Sequence, residues 1–264
     1  IIDGGMHSHY ECLNKGFNMK YPGSKNRIAK KILSIILDGR CDSQPYVEPF
    51  FGGGNSMQFV SGVRIAGEFN FYIAEMWKEL LNGWTPEYIT KDQYKEIRLN
   101  KDEYDPSLVG WVGVACSYSG KWFGGFAGKV KTKGGDRDYQ SEAFKNLQNQ
   151  LPLLNGVNVF NCGYDELEIP PCSRIYCDPP YSGTLKYKDE FATPAFWGWV
   201  RLKVSQGHEV FISEYEAPSD FVCVWQQEVK SSLSANGKSG GSKKSIEKLF
   251  VHKSQVESDY DSMC

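Results

Sequence analysis

The chain has 264 residues and a formal charge of −2, from 30 Lys and Arg against 32 Asp and Glu. That length can bury a sizeable core and points to one large domain with an insertion. The charge excludes a surface basic all over, though a local basic patch is compatible with it. No apolar run approaches the ~18 residues of a membrane span, and no secretory signal is visible. Eight cysteines without CxxC spacing, and four histidines that do not cluster with them, speak for reduced thiols rather than disulfides or a zinc site.

Residues 1–18 show no periodicity and read as an extension outside the core. Lys20-Tyr21-Pro22-Gly23-Ser24-Lys25 leads into a helix, with Ser24 as N-cap and Ile28, Ile32, Ile35 and Ile36 along one face. Tyr21 and Lys25 stand at its mouth, where they could meet an anionic or zwitterionic ligand, or only solvent. A short strand from Tyr46 to Glu48 runs through Pro49, Phe50 and Phe51 into Gly52-Gly53-Gly54, and a helix is expected over 57–60. Glycines at such a turn let backbone approach a ligand and present N–H groups to it. The pattern is neither GxGxxG nor a phosphate-binding loop. A second strand, 64–68, ends on Glu68-Phe69-Asn70. An acid at that distance past a glycine turn accepts from ribose hydroxyls in nucleoside-binding α/β folds.

Helices are expected over 73–81, 90–99 and 107–117, the last weakened by Gly110 and Gly113. Segment 118–137 then holds six glycines, five basic residues, one acid and four aromatics. It reads either as a mobile arm whose lysines meet phosphates and whose aromatics stack on bases, or as a solvated loop with its aromatics tucked inward. A helix over 139–151 and a strand over 157–161 precede Cys162-Gly163-Tyr164-Asp165, a loop placed to flank a ligand. The apolar run Arg174-Ile175-Tyr176-Cys177 is the end of a buried strand, and Asp178-Pro179-Pro180-Tyr181 follows it. Two prolines preset that exit and supply no N–H. What is on offer is the Asp178 carboxylate, the Pro179 carbonyl and the Tyr181 ring, a set suited to an exocyclic amine on a planar ring. Alone, the motif is equally a strand-ending turn. Beyond it come a polar loop at 182–193, a helix over 194–205 carrying Phe196, Trp197, Val200 and Val204, and strands at 209–213 and 222–225. A mobile Gly/Ser/Lys stretch at 235–245, a final edge strand at 249–251 and a frayed tail end the chain. Strands alternating with helices predict an α/β fold, mostly parallel, with ligands at the carboxyl ends of the strands.

In this order, Lys20–Lys25, Glu48–Gly54, Glu68-Phe69-Asn70, an insertion at 90–155 and Asp178–Tyr181 resemble the Dam-like, alpha-type (D12 class) N6-adenine DNA methyltransferases across about residues 20–251. Glu68 stands where that family more often has Asp. The resemblance implies a Rossmann-like S-adenosylmethionine-dependent methyltransferase sheet with an inserted, mostly helical target-recognition domain. The catalytic domain would comprise 19–89 and 156–253, the recognition domain 90–155 with its basic aromatic arm at 118–137, and the tail 254–264. It implies S-adenosylmethionine as cofactor and S-adenosylhomocysteine as product. Glu48, Phe50, Gly52, Gly53, Gly54 and Phe69 would border the cofactor, Glu68 would hold its ribose, Tyr21 and Lys25 its methionine part, and Tyr164 and Asp165 its adenine, with Asp178 reaching the same pocket. Asp178, Pro179, Pro180 and Tyr181 would form the catalytic turn around a base flipped from double-stranded DNA. Lys121, Trp122, Lys129, Lys131, Lys133 and Arg137 would contact DNA. No metal and no membrane are implied, and the location would be the cytoplasm of a bacterial or phage-infected cell.

Three alternatives stay open on the residues: N4-cytosine methylation by the same amine chemistry, methylation of a protein or small-molecule amine, and a DNA-binding protein without catalysis. The second has no use for a basic aromatic arm, and the third none for an intact Asp178 beside a glycine turn.

Overall fold

The computed structural model describes residues 18–132, 134–180, 194–230 and 244–256. Its strands are β1 (Tyr46–Glu48), β2 (Arg64–Glu68), β3 (Lys129–Thr132), β4 (Gly135–Asp138), β5 (Val157–Asn161), β6 (Arg174–Cys177), β7 (Glu209–Ser213), β8 (Phe221–Lys230) and β9 (Lys244–His252). Its helices are α1 (Ala29–Ile36), α2 (Phe71–Leu81), α3 (Lys91–Leu99), α4 (Pro106–Val114), α5 (Tyr139–Leu154) and α6 (Pro194–Ser205). Seven strands make one sheet in the order β5-β2-β1-β6-β7-β9-β8, and β3 and β4 pair separately as a hairpin. Neighbours from β5 to β7 are parallel, whereas β9 runs antiparallel to both β7 and β8. This is a Rossmann-like α/β sheet with an antiparallel edge.

Central strands β1, β2 and β6 are buried along their whole length, as parallel strands covered on both faces must be. Their side chains alternate between two cores. Tyr46, Ala66, Tyr176 and Phe211 join α1, α2 and α5 on one face. Val47, Ile65, Ile175, Val210 and Ile212 pack on Phe196, Trp197 and Val200 of α6 on the other. The insertion does not have a core of its own. Tyr94, Ile97 and Trp111 belong to the same cluster as Met76 and Trp77 of α2.

Helix bounds follow their caps. Asn70 accepts from the N–H groups of Tyr72 and Ile73, which starts α2 two residues before the expected 73. Thr90 and Gln93 form a capping box on α3, and Asp105 with Pro106 opens α4. Ser24 does not cap α1 itself, which begins at Ala29 behind Ile28. Its hydroxyl accepts from the Asn26 N–H at 3.4 Å, at the start of a turn over 25–28, and from Asn55 Nδ2 at 2.9 Å. The helix expected at 57–60 is a single 3₁₀ turn, Met57–Phe59, because Val60 is already extended. α4 ends at Val114, and its glycines are packing surfaces: a Cβ on Gly110 would stand 2.1 Å from the Tyr72 carbonyl oxygen, and one on Gly113 2.3 Å from the Trp122 ring. α5 continues through Pro152 to Leu154, past the expected 151.

The end of the chain departs most from expectation. β9 is no edge strand; it lies between β7 and β8, starts at Lys244 and takes up residues 244–245 of the stretch read as mobile. β8 runs on to Lys230 and forms the edge. The extension at 1–17, the loop at 181–193, the stretch at 231–243 and the tail from 257 lie outside the described residues. Among the described residues no helix is long and apolar enough to cross a membrane.

Candidate active site

Strand order reverses between β1 and β6: the chain leaves β1 toward β2 and β5, then returns to β6 on the other side. In open α/β sheets ligands occupy the crevice at the carboxyl ends of strands flanking that reversal. The glycine turn leaves β1 there, and Asp178 leaves β6.

Gly52 and Gly54 have φ of +52° and +63°, the left-handed backbone that favours glycine. The turn is pinned on several sides. Trp77 Nε1 donates to the Gly52 carbonyl at 2.8 Å, Gln150 Nε2 to the Gly53 carbonyl at 2.8 Å, and the Gly52 N–H to Glu68 Oε2 at 2.9 Å. Tyr21 covers it so closely that a Cβ on Gly52 would lie 2.7 Å from the Tyr21 ring, and one on Gly53 2.8 Å from Tyr21 Cβ. The other Glu68 oxygen accepts the Asn70 N–H at 2.8 Å. Burial raises the Glu68 pKa, and these two backbone bonds pull against it. Each Glu68 oxygen keeps a lone pair beyond its bond, enough to accept a hydroxyl. Next to it Phe69 is 82% exposed.

Asp178 does not stand alone. Its Oδ1 lies 2.8 Å from Lys25 Nζ, which also lies 3.9 Å from Glu247 Oε2 and donates to the Gly23 carbonyl at 3.0 Å. Burial raises the Asp178 pKa, Lys25 opposes that, and the Glu247 charge adds to it. Lys25, expected at a ligand, is a buried counter-ion of the motif carboxylate in the free protein. Glu48 is buried too, takes a 2.9 Å bond from the Tyr46 hydroxyl, and is pushed by desolvation to about 8. It is therefore an acid rather than a carboxylate at neutral pH. Pro179 is buried and Pro180 exposed, while Tyr181 lies outside the described residues.

The far wall is aromatic. Phe50 stacks on Tyr164 at 5.7 Å, and Tyr164 meets Phe196 and Trp199 edge-on at 5.5 and 5.2 Å. Asp165 is exposed, and the Gly163 N–H is taken by Glu166 Oε2 at 2.9 Å. Asn161 Nδ2 ties this loop to the Glu68 and Phe69 carbonyls at 2.9 and 3.2 Å. Glu247, Trp199, Asn161 and Glu166 were missed in the sequence. The segments that carry them become neighbours only on folding, and no local pattern marks them.

Within the basic segment β3 and β4 pair as an antiparallel hairpin. The segment's aromatics mostly turn inward: Phe123 is buried, and Trp122 stacks on Tyr72 at 6.0 Å instead of facing a base. Tyr118 is 62% exposed. Lys121, Lys129 and Lys131 face solvent, and Lys133 lies outside the described residues. Register sets Lys129 opposite Asp138 and Lys131 opposite Asp136. Arg137 Nη2 donates to Glu142 at 2.9 Å, and Lys20 reaches the same carboxylate at 3.1 Å.

No family model and no curated protein matches the chain. Among solved structures, SMU.472, described as a candidate methyltransferase complexed with SAH, aligns with 91% of this chain at 14% identity and a TM-score of 0.41. The chain spans 55% of that protein's length.

Proposed function

We propose that this chain is an S-adenosylmethionine-dependent methyltransferase acting on the N6 amine of adenine in duplex DNA. The observation that carries the reading is the Asp178 carboxylate, side chain 23% exposed, at the reversal of the sheet beside a glycine turn. It is followed by two prolines that offer acceptors and no donors. The surrounding residues fit the cofactor: left-handed glycines, an acid with lone pairs to spare at Glu68, and the open ring of Phe69. When bound, S-adenosylmethionine supplies an electrophilic methyl group and leaves as S-adenosylhomocysteine.

The chain's own part is to hold and polarise the amine. Asp178 and the Pro179 carbonyl accept its two hydrogens, which raises electron density on nitrogen and aligns it for attack. Tyr181 stacks on the extruded ring, and extrusion costs a few kcal/mol. Lys121, Lys129 and Lys131 offer phosphate contacts at the hairpin. Cys177 is buried, with its thiol pKa raised well above the ordinary range, first by desolvation and then by Asp178, so it is a core residue and no nucleophile. Duplex DNA incubated with labelled cofactor and digested to nucleosides should yield N6-methyladenine. N4-methylcytosine would move the reading to the cytosine amine, and label only in protein or small molecules would overturn it.

A further inference from the structure

The ammonium of Lys25 has three donors, and the acceptors near it include Asp178 Oδ1 at 2.8 Å, the Gly23 carbonyl at 3.0 Å and Glu247 Oε2 at 3.9 Å. Lys25 is 8% exposed and the Glu247 side chain 12%, so the cluster is poorly screened, and among the described residues two carboxylates lie within 4 Å of this ammonium. In a lone Lys25–Asp178 pair the whole charge of the ammonium would act on one carboxylate and make it less basic. A second carboxylate near the same ammonium shares that charge and raises the basicity of Asp178. Among the described residues, those that interact electrostatically with Asp178 are Lys25 before α1, Glu48 of β1, Tyr176 and Cys177 of β6, and Glu247 of β9, while Tyr215 after β7 faces Lys25 and Glu247. Only Lys25 among them is a cation. Glu247 sits on β9 opposite Gln227, and Gln227 accepts from Lys31 of α1 at 2.8 Å, so the hairpin is docked independently of Lys25.

We propose that Glu247 is a positioning residue that acts on Asp178 through Lys25, drawing on the ammonium so that the motif carboxylate stays a strong acceptor for the target amine. This rests on the amine-methyltransferase reading for its purpose, while the coupling itself is a property of the free protein. The effect also explains why a residue from the far end of the chain is brought under the motif.

The test is Glu247→Gln, with Glu247→Asp as the conservative variant and Gln227→Ala to loosen hairpin docking alone. Carboxyl ¹³C titration of Asp178 in the ligand-free protein reads the coupling directly. Removing a like charge should lower its midpoint by about half a pH unit or more. Single-turnover methylation should fall roughly three- to tenfold, as expected of a less basic acceptor. Cofactor affinity by calorimetry should not change. Glu247→Asp should recover part of both effects, and Gln227→Ala should leave the midpoint where it is. An unchanged midpoint in Glu247→Gln, or an equal shift in Gln227→Ala, overturns the proposal. A wild-type protein that methylates no nucleic acid would instead overturn the functional reading, with the midpoint still deciding the coupling.

Discussion

The two ends of the parallel strands both bury charge, and they use it in opposite ways. At the amino ends stand arginines, Arg64 opening β2 and Arg174 opening β6, 8% and 5% exposed. Arg64 donates to the carbonyls of Leu153, at 2.7 Å, and Asn155 at the end of α5. Arg174 donates to Ile36 and Asp38 at the end of α1, at 2.8 and 2.5 Å, and pairs with Glu209. These cations satisfy orphan carbonyls at the negative ends of two helices. At the carboxyl ends stand Glu48, Glu68, Asp178 and Glu247, of which Asp178 and Glu247 lie within 4 Å of Lys25. There Asp178 and Glu68 keep acceptor capacity beyond the bonds they make. The arginines spend their Nη groups on helix-end carbonyls and so contribute to stability, although their Nε atoms find no partner among the described residues, whereas a carboxylate with acceptor capacity left over is available to a ligand.

The largest effect that would test this contrast concerns Glu48. Its folded pKa, about 8, lies above the ordinary 4.5, because burial disfavours its charge. The native state therefore holds a proton that the unfolded chain releases, and stability falls as pH rises from about 4.5 to about 8. Glu48→Gln removes that penalty. It should unfold like wild type at pH 5 and be more stable by about 4 kcal/mol at pH 8 and above, read by urea titration at both pH values. An equal difference at the two pH values would mean that Glu48 is ionised in the fold.

Asp178→Ala comes next. Losing a preorganised polar contact costs ~2.7–4 kcal/mol of barrier, a hundredfold or more in single-turnover rate. Folding should survive, because Glu247 still faces Lys25. A wild-type rate in this variant would remove the centre of the reading. At the opposite edge the signature reverses. Arg64→Met should lower unfolding free energy by about 2–3 kcal/mol, by leaving helix-end carbonyls unpaired. Its activity per folded molecule should not change. A rate loss there without a stability loss would erase the distinction between the two edges.

How much of this could be read in the sequence follows from how local each signal is. α6 begins at Pro194 and ends at Ser205, as its apolar spacing predicts, and β2 and β5 match their apolar runs. The glycine turn, Glu68 and Asp178 were legible because each sits at a strand end that sequence pattern marks. The Lys25–Asp178 pair was not, since it joins two segments only through the reversal of the sheet. Strand order misled likewise for β9: a short apolar run says that a strand exists and nothing about which neighbours it takes. Composition left 118–137 open between an arm and a loop with its aromatics tucked inward, and Phe123 and Trp122 do pack inward. The acids that face Lys129 and Lys131 are seen only once the register is known. Gly52→Val would press on Tyr21 and force a branched residue to φ +52°, so lost cofactor binding in that variant would report a displaced turn as much as a blocked ligand.

The smallest effect belongs to the hairpin, and it separates bound charge from available charge on the surface as well. Each phosphate neutralised contributes about 0.9 to the slope of log affinity against log salt. Changing Lys129, Lys131 and Lys133 together to Ala should flatten that slope and leave cofactor binding alone. The change should fall short of three full contacts, because Asp138 and Asp136 already stand opposite Lys129 and Lys131. Arg137 and Lys20 offer the complementary test. Both are held by Glu142, a carboxylate occupying the partners that a phosphate would need. Glu142→Gln should therefore tighten DNA binding and steepen the slope, the opposite sign to the lysine variant. If the lysine variant keeps the wild-type slope and Glu142→Gln leaves it unmoved as well, the hairpin makes no phosphate contacts and DNA must approach the crevice from another side.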